Sequence, residues 1–157
     1  MAIKTKILGL SSIKGLISKY DKRKKNLKNR RGVNLSAVVT IEAWIKRNFT
    51  NEGKDHDDPG LRWPPLKAST IKNRRRGRGV GSPKILQDTG NLRNRWDRKA
   101  DNRSGLLRSR QNYSSIHEEG RPSRNIPQGK IFPTKRQGQD IIRPVYEAWI
   151  DKKIRNI

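Results

Sequence analysis

The sequence predicts an α+β fold: an N-terminal helical pair, a short curved antiparallel sheet with long loops, and a C-terminal helix. Three observations lead there. Apolar residues recur at helical spacing near both ends of the chain. Asn, Asp, Gly and Pro crowd the middle, each favouring turns for its own reason. Two short runs in that middle, "SGLLRSR" and "GKIFP", carry weak strand signals.

The 157 residues suit one domain, with the helical pair over 1–50, a loop-rich α/β core over 51–133 and the closing helix over 134–157. The first helix is expected from about Lys6 to Arg31, with Ile13, Leu16, Ile17, Tyr20 and Leu27 on one face and Ser11 or Ser12 as its cap. Gly32 is a plausible stop, and Asn34 can cap a second helix, "LSAVVTIEAWIKRNF". There Leu35, Val38, Ile41 or Glu42, Ile45 and Phe49 keep the helical period, so the pair reads as an αα-hairpin.

The loop "TNEGKDHDDPGLRWPPL" follows. Ser69 or Thr70 opens a short basic helix, "IKNRRR", which "GRGVGS" breaks. Ile85 and Leu86 look buried, and Asp88-Thr89-Gly90 looks like a turn. In "QDIIRPVYEAWIDKKIRNI", Asp140 is the expected cap and Pro144 falls in the first turn, where its missing N–H costs little. Ile142, Val145, Trp149 and Lys152 form one stripe, widened by Tyr146, Ile150 and Ile154.

Charge dominates the composition: 38 Lys+Arg against 14 Asp+Glu give a net +24, while apolar residues make up only 31%. Such a chain buries less apolar surface than an ordinary domain, and its like charges repel. It predicts a small core with long polar arms, completed by an anionic partner or by other copies of itself. Nucleic acid is the first candidate, because phosphates release counterions when Lys and Arg dock. The absence of cysteine excludes disulfides, Cys-zinc sites and thiol nucleophiles, and fits a reducing cytoplasm. No apolar run approaches the roughly 20 residues of a membrane span, so no membrane is expected. The cationic start "MAIKTKILGLSSIKGL" lacks the apolar block and cleavage site of a signal peptide.

Three constellations carry possible chemistry. Asp55, His56, Asp57 and Asp58 offer oxygen and imidazole ligands for a divalent metal, but the pattern lacks the spacing of an EF-hand and reads better as a solvated turn before Pro59-Gly60. His117 in "YSSIHEEG" lies beside Ser114 and Ser115, yet neither serine sits in a nucleophile elbow. The structural reading has Tyr113 and Ile116 packing inward from a single helical turn, His117 capping or bonding a neighbouring strand, and Gly120 supplying a backbone angle others resist. The basic runs are the third: Lys22, Arg23, Lys24, Lys25, Lys28, Arg30 and Arg31 on the first helix, and Arg74, Arg75, Arg76 and Arg78 in "NRRRGR". Arg presents a planar fork of donors that matches phosphate, without reading bases. Trp44, Trp63, Trp96 and Trp149 can stack on bases but are better placed as core or interface anchors.

Four stretches in this order resemble one family. They are "DPGLRWPPLKAST", "KILQDTGNLRNRW", "YSSIHEEG" and "IPQGKIF". Together, over about residues 57–133, they are similar to the phage virion morphogenesis family, the tail completion or head–tail joining proteins of tailed bacteriophages. The resemblance marks Trp63, Leu66, Thr70, Leu86, Thr89, Gly90, Leu92, Tyr113, Ile116, His117, Gly120, Ile126, Pro127 and Phe132 as fold-defining rather than catalytic. It departs from the family at Gly129, Lys130 and Ile131, where Ala, Arg and Pro are usual.

The resemblance implies a structural virion protein and not an enzyme: a ring of identical copies at the portal end of the tail, six expected and twelve the alternative in a neck. Adjacent neck, connector or tail tube proteins and double-stranded DNA in the channel, held without sequence specificity, would be its partners. It implies no cofactor, metal or small-molecule substrate, and places the chain in the virion after assembly in the bacterial cytoplasm. A stand-alone basic RNA- or DNA-binding protein without strong sequence specificity is the alternative.

Overall fold

The computed structural model describes residues 18, 19, 21, 22, 24, 25, 27–76 and 83–155, with backbone alone at 75 and 76. The start of the expected first helix, with Ser11, Ser12, Ile13, Leu16, Ile17 and Tyr20, lies outside them; those described between 18 and 28 are helical and exposed. In chain order there follow α1 (Arg31–Thr50), α2 (Ala68–Arg76), α3 (Asn91–Asn94), β1 (Trp96–Ala100), β2 (Gly105–Ser109), α4 (Ser114–Glu119) and α5 (Lys135–Arg155). Single 3-10 turns occupy Pro59–Leu61 and Pro122–Arg124. The mixed helix-and-strand class read from the sequence is the one observed.

Helix α1 is the element the others pack on. Its apolar positions put Val38, Ile45 and Phe49 on one face, and that face meets α5, both strands and α3. Tyr146 of α5 bonds Asn34 at the start of α1, while Gln137 near the start of α5 bonds the Asp55 carbonyl just past the end of α1. The two long helices therefore run antiparallel. The core centres on the C-terminal half of α1, where Trp44, Ile45 and Phe49 join Trp63, Leu92, Trp96 and Ile131. Phe49 meets Trp63 edge-on at 4.9 Å, and Trp96 meets Phe132 at 5.5 Å. Edge-to-face pairs of this kind add to burial through the ring quadrupoles.

The strands form a two-stranded antiparallel hairpin, Trp96 opposite Ser109 and Ala100 opposite Gly105. The hairpin lies so close on α1 that a Cβ at Gly105 would come within 2.5 Å of Val38 Cγ2 and 2.9 Å of the Asn34 carbonyl oxygen. Beneath it, Glu42 is buried and receives the Arg98 guanidinium in a two-pronged bond, with Lys46 Nζ at 2.8 Å.

Several sequence expectations differ from the structure. Gly32 does not stop a helix and Asn34 does not cap one; the break falls at residues 29 and 30, and α1 runs through both positions. Asn34 is buried instead, donating to the Asp101 carbonyl at 2.8 Å and accepting from the Tyr146 hydroxyl at 2.6 Å. Asp140 pairs with Arg143 rather than capping α5. That helix starts at Lys135, with Thr134 Oγ1 accepting the Gln137 N–H, so Pro144 lies inside it. The proline sits on the exposed side, where water can take the carbonyl that its ring leaves unbonded. Residues 129–133, expected as a strand, are irregular, because side chains take the bonds a ladder would have supplied.

Candidate functional site: the motif corner and the basic surface

The stretch 113–120 forms the short helix α4 and a sharp exit. Gly120 has φ +76°, and a Cβ there would lie 2.8 Å from the Gln128 amide nitrogen, so backbone angle and space both demand glycine. The His117 carbonyl accepts the Gly129 N–H at 2.7 Å. Next to it, Glu118 Oε2 accepts the N–H groups of Ile131 and Phe132 at 2.6 and 3.2 Å, while Oε1 holds Lys130 Nζ at 2.7 Å. One carboxylate thus anchors the irregular segment. The His117 ring stands edge-on to Tyr113 at 5.9 Å. Burial pushes its pKa down, so the imidazole is neutral at pH 7.

From the other side, the Lys130 carbonyl is held by two buried donors, Trp63 Nε1 and His56 Nε2, each at 2.7 Å. The short bond to a carbonyl requires a proton on Nε2, and Nδ1 has no protein partner among the described residues. His56 is therefore a core residue, 2% exposed and edge-on to Trp44 at 5.2 Å. The acids around it are engaged separately. Asp55 binds Arg47 and Asn51, and Asp58 caps the Gly60 N–H within the expected turn. Among the described residues, no three His, Asp or Glu side chains gather as a metal site.

The four motif stretches meet at one groove of about 890 Å³. Trp63, Leu66 and Thr70 come from the first, Leu86 from the second, His117 and Gly120 from the third, and Ile126 and Pro127 from the fourth. The remaining motif positions do not line it. Asp88-Thr89-Gly90, expected as a turn, forms a bend, the hydrogen-bonded turn falling just before it at residues 85 and 86, and Gly90 at φ +72° leads into α3. Leu92 is fully buried, Phe132 and Ile116 are half-buried, and Tyr113 is exposed. The sequence expected Tyr113 to pack inward; it lies outside the core, against His117.

The basic candidates divide. Lys22, Lys24, Lys25 and Lys28 are exposed on helical residues, and Arg30 and Arg31 are exposed where α1 begins. Arg74 is turned inward, donating to the Lys84 carbonyl at 2.8 Å and lying 3.8 Å from Asp88. Arg75 and Arg76 end α2 with side chains that are not described, and Arg23 and Arg78 lie outside the described residues. Sequence reasoning missed the Glu42–Arg98 pair and Gln87, whose amide donates to the Phe49 carbonyl at 2.6 Å. A charged residue within a helical apolar stripe, as Glu42 is, was the available signal for the first. No helix among the described residues is long and apolar enough to cross a membrane. No protein family, curated protein or solved structure matches the chain.

Proposed function

We propose that the chain is a structural protein of the tailed-phage neck. It would complete the tail and join it to the head as an oligomeric ring around the DNA channel. The observation that carries this reading is the convergence of the four family-like stretches on one interlocked corner. There, motif residues serve as architecture: Trp63 holds the Lys130 carbonyl, and the turn through His117 and Gly120 holds residue 129. Two further features support it. Leu35 and Val39 on α1, and Ile150 and Ile154 on α5, are exposed apolar residues. A repeated head-to-tail contact between copies can cover such residues, and closure of that contact makes a ring. The net charge of +24 suits a polyanion passing through it.

Native mass spectrometry of the chain recovered from tailed particles tests the ring. A closed assembly is expected, with six copies the first expectation; a strict monomer in assembled particles overturns it. Portal, capsid and tail genes beside the coding sequence are the matching genetic expectation. The alternative, a stand-alone nucleic-acid-binding protein, predicts tight salt-sensitive RNA binding by the isolated chain and no place in a particle.

A further inference from the structure

The outer face of the β1–β2 hairpin carries cations that the fold does not use. Alternation along the strands turns Trp96, Arg98 and Leu107 towards α1: Trp96 is buried, Arg98 reaches Glu42, and Leu107 packs on the core. The other face carries Lys99 and Arg108, both exposed. They are diagonal neighbours across the ladder, which sets them about 7–8 Å apart at the backbone. Asp97, directly opposite Arg108, is held by Arg110 at 2.6 Å. Lys99 and Arg108 make no ion pair among the described residues.

The tip of the hairpin is fixed rather than loose. Asp101 Oδ1 accepts the N–H groups of Arg103 and Ser104 at 2.6 and 2.7 Å, closing a tight turn that presents Arg103 to solvent. The same turn is tied to the start of α1, since Asn34 donates to the Asp101 carbonyl and the Arg31 N–H donates to Asn102 Oδ1 at 3.1 Å. Exposed Lys28, Arg30 and Arg31 therefore arrive beside the tip. Two elements distant in sequence bring exposed cations, without ion pairs among the described residues, to one end of the molecule.

We propose that this end, with Lys99, Arg103 and Arg108 of the hairpin beside Lys28, Arg30 and Arg31, is a binding surface for the phosphates of double-stranded DNA. Charge complementarity selects a polyanion. A two-stranded ribbon is also of a size that the major groove of B-DNA, about 12 Å wide, admits. Cations on a hairpin pinned at both face and tip lose less freedom on binding than cations on a loose arm. The Asn102 side-chain oxygen, Oδ1, is already engaged by the Arg31 backbone N–H, and the cations named contact phosphate, so binding is independent of sequence. The inference rests on the polyanion half of the function proposed above and not on the neck half.

Fluorescence anisotropy with the full-length chain and a labelled duplex of about 30 base pairs, over about 50–200 mM salt, tests it. In Lys99→Ser/Arg103→Ser/Arg108→Ser, the slope of log affinity against log salt should flatten by about 2–3, and affinity at the lower salt should fall at least about 10-fold. Arg121→Ser/Arg124→Ser/Arg136→Ser removes the same charge from other exposed positions and should stay within about 3-fold of the parent. Arg103→Ser alone, outside the ladder, should flatten the slope by about 1 and guards against a triple variant that misfolds. A parental slope in the hairpin variants, or an equal loss in the charge-matched control, overturns the assignment. Loss of binding in the hairpin variants by a chain that never enters particles would sink the neck reading and leave this surface standing. Ring assembly with hairpin-independent binding would do the reverse.

Discussion

The two ends of helix α1 are held by different physics. At its C-terminal end Ile45 and Phe49 are completely buried among Trp44, Trp63, Trp96 and Ile131. At its N-terminal end Leu35 and Val39 face solvent; Val33, Ala37 and Val38 are buried, outside the aromatic cluster, and polar bonds from Asn34 to Asp101 and Tyr146 add to the fastening. A chain with 31% apolar residues concentrates them where three distant segments must be locked together. The other end has a smaller buried apolar set, with exposed Arg30 and Arg31 beside it. Burial is non-directional and scales with area, whereas polar fastening is directional and modest in net energy.

That contrast can be broken by substitution. Phe49→Ala opens a cavity in the packed end and should cost about 3–5 kcal/mol, read from the urea midpoint of the full chain. Gly105→Ala forces a methyl against Val38 and the Asn34 carbonyl, and should cost about 1–3 kcal/mol while lifting the hairpin from α1. Asn34→Ala removes two bonds from the polar end and should cost about 1–2 kcal/mol, less than the first variant; equal losses would erase the distinction between the ends.

Acid sharpens the comparison. Arg98 chiefly, and then Lys46, hold the Glu42 carboxyl below the ordinary carboxylate range, against the upward push of burial. A depressed folded-state pKa gives stability that is present above the unfolded value and lost as pH falls through the folded one. Glu42→Gln should therefore flatten the acid limb of a stability-against-pH curve. His117 is also lowered, by burial, so the unfolded chain takes up its proton first. Its contribution is complete above the ordinary imidazole range and declines as pH drops through it, and His117→Gln should remove that higher-pH decline.

The long helices were legible because period survives context, while their boundaries were not. Of the ordinary start and stop signals, Asn34 is overridden by Asp101 and Tyr146, far away in sequence, Asp140 pairs with the nearby Arg143, Pro144 sits exposed inside its helix, and Gly32 lies in open space within α1. Of the hairpin, β2 was readable from "SGLLRSR"; β1, "WDRKA", has one buried Trp among charges and gave no alternation of apolar residues. The run through Ile131 looked like a strand because its residues suit one, but Glu118 supplies the bonding that a neighbouring strand would. His56 sat among acids and implied a solvated turn. Its burial depends on the carbonyl of Lys130, 74 positions away, which no local pattern reveals. That Trp63, Leu66, Thr70, Leu86, His117, Gly120, Ile126 and Pro127 meet at one groove is a property of the folded chain that no local pattern reveals.

A density map of tailed particles carrying this chain tests the central claim most directly. The account predicts a closed ring of identical copies, coaxial with the DNA channel, between the portal and the tail. Particles that lack the chain, or that hold it as isolated copies away from the axis, would contradict it.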